Sequence, residues 1–204
     1  MTEIKSEVFG DLQNNCYILT DKETGESALI DCTEDSEKMF SFIDGTSLKY
    51  ILLTHGHFDH IGGVAAVKEK YGCQVVISQQ DSPMTLSSKA SLAAYCGLNQ
   101  SNFTANITVN DGDIITLGNT RIKVMATPGH TKGGVCYIAD DNIFTGDTLF
   151  FCSCGRTDFP GGSSAEIMQS LKKIASLKGN YNIYPGHDRI STLDFERKNN
   201  PYMK

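Results

Sequence analysis

No uncharged apolar run in the 204-residue chain approaches the length needed to span a bilayer. The opening residues, Met1-Thr2-Glu3-Ile4-Lys5-Ser6-Glu7, hold no apolar stretch of the secretory kind. Neither a membrane partner nor export is expected. Positive charge is also scarce. Lys and Arg number 18 against 24 Asp and Glu, a formal net charge of -6, which excludes the basic footprint of a nucleic-acid partner. Cysteine occurs seven times, at 16, 32, 73, 96, 136, 152 and 154, without the even count and regular spacing of a disulfide framework. Free thiols and a cytoplasmic location are the resulting expectation. No repeat, low-complexity tract or linker-like stretch divides the chain, so a single domain over 1–204 is expected. Nothing in the sequence bears on oligomeric state.

What is present is a succession of short β-rich runs and helical patterns. Runs at 15–19, 27–31, 50–54, 75–78, 114–117, 121–126, 134–138, 142–145 and 182–184 are bounded by turn residues and read as strands. Helical periodicity appears at 36–43, 61–71 and 164–177. In the last of these Ile167, Leu171, Ile174 and Leu177 form one apolar stripe, after Ser163 as N-cap with Glu166 three residues on. Helices between strands favour packed α/β layers over an all-β sandwich. The stretch 79–106 is polar and irregular, yet too long for a structureless connection. It reads as a lid or an extra helical excursion, either facing the substrate and setting specificity or covering a sheet edge.

The five histidines carry the argument. His55, His57 and His60 lie in His-Gly-His-Phe-Asp-His, directly after the apolar run Tyr50-Ile51-Leu52-Leu53 and directly before a helical pattern. His130 and His187 each close a Pro-Gly-His turn that follows a predicted strand. One histidine near a turn is usually solvated or hydrogen-bonded. Five, all on loops after strands, form a donor set for a divalent metal that accepts neutral imidazole and carboxylate. Asp147, in Thr145-Gly146-Asp147-Thr148, supplies a carboxylate at another strand end, although an isolated Asp in a turn would be weak evidence. Asp59, between His57 and His60, either touches metal or orients an imidazole, ligation being the preferred reading.

Thr54-His55-Gly56-His57-Phe58-Asp59-His60, followed in order by His130, Asp147 and His187, resembles the ligand series of the metallo-β-lactamase superfamily. The resemblance spans essentially the whole chain. It implies an αββα sandwich, two mixed β-sheets packed face to face with helices outside and metals at one edge between them. It further implies that His55, His57 and His130 hold one divalent ion, that Asp59, His60 and His187 hold a second, and that Asp147 bridges them. Zinc is the expected metal, with iron or manganese as the other candidates. Asp31 matches an early superfamily Asp that orients a ligand, with an ordinary turn residue as the competing reading.

Within the superfamily the chain is similar to short glyoxalase II-type hydrolases, through Gly155-Arg156-Thr157-Asp158-Phe159-Pro160-Gly161-Gly162 and through its tail, Glu196-Arg197-Lys198-Asn199-Asn200-Pro201-Tyr202. Longer members bind glutathione partly with a helical C-terminal domain. Little chain follows His187, so a glutathione site of that kind is not expected. The implied reaction is attack of a metal-activated hydroxide on a small thioester or ester, with Asp59 as the catalytic residue that orients the nucleophile. Arg156 is the candidate substrate contact, its competing reading being an ion pair with Asp158 or a contact to nearby backbone. Cys152 and Cys154 read as packed thiols rather than metal ligands.

Persulfide dioxygenases of the same superfamily are the enzymatic rival, since they share most of these ligand positions and a stretch like Cys154 to Phe159. One iron held by His55, His130 and Asp147 would leave positions open for oxygen and a persulfide. The complete second ligand set and Pro160-Gly161-Gly162 favour the hydrolase. A non-catalytic domain stapled by metal is the alternative from another class. Seven candidate His and Asp ligands argue against it, because structural zinc sites are closed, four-coordinate and rich in cysteine.

Overall fold

In the computed structural model, which describes residues 1–204, the chain forms fourteen strands and five α-helices. The first sheet contains β1 (Thr2–Phe9), β2 (Asn14–Asp21), β3 (Glu26–Ile30), β4 (Ser47–Leu52), β5 (Gln74–Ser78) and β6 (Ile107–Val109), neighbours in that order. Its first three strands run antiparallel and β3 to β6 run parallel, so the sheet is mixed. Helices α1 (Glu37–Ile43), α2 (Phe58–Ile61) and α3 (Val64–Tyr71) lie in its crossovers.

The second sheet is built from β7 (Ile114–Leu117), β8 (Thr120–Ala126), β9 (Val135–Ala139) and β10 (Asn142–Gly146), then β13 (Asn182–Pro185) and β14 (Ser191–Thr192). Its spatial order is β14-β13-β10-β9-β8-β7, with β10 and β13 parallel and the other pairs antiparallel. A small hairpin, β11 (Leu149–Phe150) with β12 (Ser153–Cys154), follows β10. Helices α4 (Ser164–Ala175) and α5 (Leu193–Asn199) complete the chain, with a final 3-10 turn at Pro201–Met203.

Side-chain alternation sorts these strands into layers. In β2, Cys16 and Ile18 point to one face and Tyr17 and Leu19 to the other. In β5, Val75 and Ile77 oppose Val76 in the same way. The outward set packs on Met39 and Ile43 of α1 and on Val64 and Val67 of α3. The inward set meets Ile122, Val124, Tyr137 and Phe144 of the second sheet. That sheet's outer face, with Met125, Cys136, Ile143 and Ile183, packs on Leu171 and Ile174 of α4 and Leu193 of α5. Three apolar interfaces between four layers make the αββα sandwich. Each fully buried aliphatic side chain contributes about 1.5–3 kcal/mol.

Ser163 caps its helix as expected, its Oγ accepting from Glu166 N at 3.3 Å, and Ser36 Oγ likewise accepts from Met39 N at 3.2 Å. The expected helix over 61–71 is instead two, broken at Gly62 and Gly63. A Cβ there would lie 2.3 Å from the Thr33 carbonyl oxygen and 2.1 Å from that of Glu34, so the chain must pass residues 33–34 at backbone distance. Segment 79–106 holds no α-helix, only 3-10 turns at Ser82–Leu86 and Ala93–Cys96. Strand β1 lies outside the expected set. Its alternating Glu3, Lys5 and Glu7 mask the apolar pattern and suit an edge strand, where charge discourages pairing with another chain. None of the helices is long and apolar enough to cross a membrane.

Candidate metal centre

Every predicted metal donor lies just beyond a strand. His55 and His57 follow β4, and His57 is the N-cap residue of α2, whose first turn carries Asp59 and His60. His130 follows β8, Asp147 follows β10 and His187 follows β13. The strand ends of both sheets therefore meet at one edge of the sandwich. There His55, His57 and His130 place one donor atom each within 4.8 Å of one another, and so do Asp59, His60 and His187. Asp147 stands between the two groups, its carboxylate 3.3 Å from His60 Nε2, 3.5 Å from His130 Nε2 and 3.6 Å from His187 Nε2.

Neighbours set the imidazole tautomers. His60 Nδ1 donates to Asp31 Oδ2 at 2.8 Å, His130 Nδ1 to the Arg156 carbonyl oxygen at 2.8 Å, and His187 Nδ1 to the Leu12 carbonyl oxygen at 3.0 Å. Thr54 Oγ1 gives its proton to Asp31 at 2.8 Å, so toward His55 Nδ1, 3.2 Å away, it is an acceptor. In the neutral ring each of these four residues then presents the Nε2 lone pair to the centre. His57 Nδ1 lies 2.9 Å from His130 Nε2. His55 Nε2, His57 Nε2 and Asp147 Oδ1 are buried without a hydrogen-bond partner. Leaving one such atom unpaired costs about 1–3 kcal/mol. Three at one point, among imidazole and carboxylate donors, fit a divalent cation.

The electrostatics agree. Burial, reinforced by the other imidazoles, holds His55 well below the ordinary imidazole value; burial likewise takes His57 down to about 3. Burial opposes protonation of His60 and His187 too, but the carboxylates Asp59 and Asp147, with Asp31 at His60, prevail and raise both. Asp59 and Asp147 are held low by His60 and its neighbours in spite of burial. Where no ion is bound, protons on His60 and His187 thus offset the buried negative charge.

Asp31 is more than a turn residue. It is buried, adopts φ 58°, and accepts from Thr54 N, Thr54 Oγ1 and His60 Nδ1, each at 2.8 Å. Two further residues escaped sequence reasoning. Asn14 Nδ2 donates to Asp59 Oδ2 at 2.8 Å. Asp81, buried within 79–106, accepts from Gly56 N at 3.2 Å, Thr131 Oγ1 at 2.7 Å and Gly133 N at 2.8 Å, tying the loops of His57 and His130 together. Burial raises the Asp81 carboxyl in spite of those donors. An amide at a strand start and an acid in an irregular loop carry no distinguishing signal.

Arg156 lies at the rim, exposed and paired with Asp158 through two bonds, Nε to Oδ1 at 2.7 Å and a terminal nitrogen to Oδ2 at 2.6 Å. It also covers the Phe159 ring at 4.1 Å. All seven cysteines are free; Cys152 and Cys154 are half-buried and neither belongs to a donor group. A cavity of about 880 Å³ opens over the centre, and segment 79–106 reaches it through Leu92, Tyr95 and Cys96.

An αββα sandwich with imidazoles and carboxylates gathered at the seam of its sheets defines a metallohydrolase-type architecture. Residues 9–187 match the metallo-beta-lactamase superfamily, and the chain belongs to that superfamily. It is 32% identical to the hydroxyacylglutathione hydrolase GloC of Haemophilus influenzae, over 94% of this chain and 93% of that protein. It is 35% identical to the mitochondrial persulfide dioxygenase ETHE1 of Mus musculus, over 92% of this chain and 70% of that protein. The crystal structure of the BLEG-1 B3 metallo-beta-lactamase superposes with a TM-score of 0.93 at 28% identity, covering 99% of this chain and all of that one.

Proposed function

We propose that the protein is a metal-dependent hydrolase of small thioesters or esters, glyoxalase II-like in its chemistry. In this reading His55, His57 and His130 would hold one divalent ion and Asp59, His60 and His187 a second, with Asp147 a donor available to both and zinc as the metal. The observation that carries it is the completeness of both donor groups around one carboxylate.

Two such ions, when bound, would supply Lewis acidity for activating water near neutral pH and for polarising a carbonyl. The protein's own groups do the placing. Asn14 Nδ2 fixes one oxygen of Asp59, the residue that orients the attacking water. Asp31 and the carbonyls of Leu12 and Arg156 hold their imidazoles in one tautomer and one orientation. Phe159 stands edge-on to His57 at 5.7 Å and Phe150 to His187 at 5.9 Å, so apolar walls limit water at the reacting carbonyl. Arg156, at the rim, is the proposed substrate contact, an assignment in competition with its pairing to Asp158.

The test is metal analysis of protein purified without added metal, paired with anaerobic thioester hydrolysis and aerobic oxygen uptake on glutathione persulfide. The hydrolase predicts about two zinc equivalents, anaerobic turnover, and loss of turnover to background in His57→Ala and Asp147→Ala. One iron with persulfide-dependent oxygen uptake would overturn it in favour of a dioxygenase. Metal-dependent stability with no turnover on any of these would leave a non-catalytic domain.

A further inference from the structure

The walls of the cavity have a chemistry that the metal donors do not determine. Apart from the donors, its surface is set by apolar side chains, with Leu12, Phe58, Leu92, Tyr95, Phe150 and Phe159 foremost. Leu12 and Tyr95, 56% and 65% exposed, carry that apolar lining out to solvent. Arg156 is the sole lysine or arginine in the lining, and Asp158 already holds it bidentately. Beside the cavity, sharing Leu12, Phe58 and Asp59 with it, lies a hollow of about 330 Å³. Asp11, Glu34 and Asp35 line that hollow and no lysine or arginine does.

We infer that the substrate carries an apolar, uncharged arm, and that ligands bearing carboxylates outside the reacting group are disfavoured. The inference rests on the hydrolase reading for the word substrate, but the selectivity belongs to the walls. A glutathione moiety brings two carboxylates and one ammonium. Its carboxylates would meet one guanidinium already in an ion pair on one side and three unpaired acids on the other. A thiol arm without carboxylates leaves those acids solvated and places its carbon chain against the aromatic rings, where area leaves water.

Binding decides this independently of catalysis. The probes are two non-hydrolysable thioethers with the same chain, S-hexyl-N-acetylcysteamine and S-hexylglutathione, titrated calorimetrically into the zinc-loaded protein. The uncharged ligand is expected to bind at least about tenfold tighter, the size of effect that a few poorly screened like charges produce. Raising the salt from about 50 to about 500 mM should narrow the gap. The double variant Asp11→Asn/Asp35→Asn, changing two exposed side chains, should strengthen binding of S-hexylglutathione about threefold or more and leave S-hexyl-N-acetylcysteamine unchanged. Tyr95→Ser should weaken the hexyl ligand but not its S-methyl counterpart. Equal affinities, the reverse order, or no binding of the uncharged hexyl thioether would overturn the inference.

Hydrolysis of hexanoyl thioesters of N-acetylcysteamine and 3-mercaptopropionate, which differ in leaving-group charge, separates the two claims. Faster turnover of the uncharged N-acetylcysteamine thioester supports both, and equal or reversed rates would overturn the selectivity. If none turns over while the binding order holds, the hydrolase reading fails and the selectivity stands.

Discussion

Asp31 shows what a single side chain contributes when it touches no substrate. Its carboxylate accepts the backbone and hydroxyl protons of Thr54 and the Nδ1 proton of His60, so it shapes the loop and sets the imidazole at once. Asp31→Asn turns an NH2 group toward at least one of those donors. It is expected to lower affinity for the ion at His60 about 10–100-fold, read by zinc competition against a chromophoric chelator, with the other ion retained. Unchanged affinity for both ions would remove Asp31 from the centre. The imidazoles also set a pH dependence. Burial pulls His60 and His187 down, but the surrounding carboxylates raise both above the ordinary value. A raised value stabilises the fold fully below the unfolded imidazole pKa of about 6.5, and the gain is lost as pH climbs through the folded values. The chelated protein should therefore lose stability in urea as the pH rises above the unfolded value of about 6.5, while the zinc-loaded protein, whose ions replace those protons, changes little. A chelated protein that gains stability on that rise would contradict the assignment. The histidines were legible in the sequence because few other roles put five imidazoles on loops after strands. Asn14 and Asp81 were not, since an amide and a loop acid serve many purposes and only their partners reveal this one.

Among the elements, the hairpin β11–β12 shows a connection that periodicity could not announce. It bears Phe150, Ser153 and Cys154 of the cavity wall and makes only two cross-strand pairs. Helix α5 secures it. Asn200 Nδ2 donates to the carbonyl oxygens of Phe150 and Ser153 at 3.4 and 3.0 Å, and to Glu196 Oε2 at 2.9 Å, while Glu196 Oε2 accepts Cys152 N at 2.9 Å. The tail motif thus braces a wall of the cavity. Asn200→Ala should cost about 1–3 kcal/mol in chemical denaturation, since it orphans buried acceptors. It should also raise KM for a thioester with little change in metal content. A variant of unaltered stability would show the clamp to be idle. Strands buried on both faces, such as β3 and β5, were readable as apolar runs. The charged edge strand β1 and the two-residue strands were not, because pairing rather than composition creates them.

At the scale of the molecule, the layers follow from alternation and helix stripes, but which strand end faces which does not. Pairing of β10 with β13, and the docking of one sheet on the other, bring His55 and His187 into one cluster although nearly two thirds of the chain separates them. The donors come from the first sheet through the loop after β4 and from the second through those after β8, β10 and β13. Metal held by these donors would therefore fasten sheet to sheet. Ligand at about 1,000 times its Kd adds about 4 kcal/mol, which for a chain of this size is about 8–16 °C in Tm. Stripping the metal with a chelator should lower Tm by that order in a thermal melt; a shift under about 2 °C would mean that the centre contributes nothing to holding the sheets together. The seam has a kinetic consequence as well. Donors drawn from both sheets converge only after the sheets have docked, so an ion has no complete site to grip while the chain is still assembling. Metal then acts as a latch closed last: it lengthens the lifetime of the folded protein by slowing its opening and leaves the rate of folding nearly as it was.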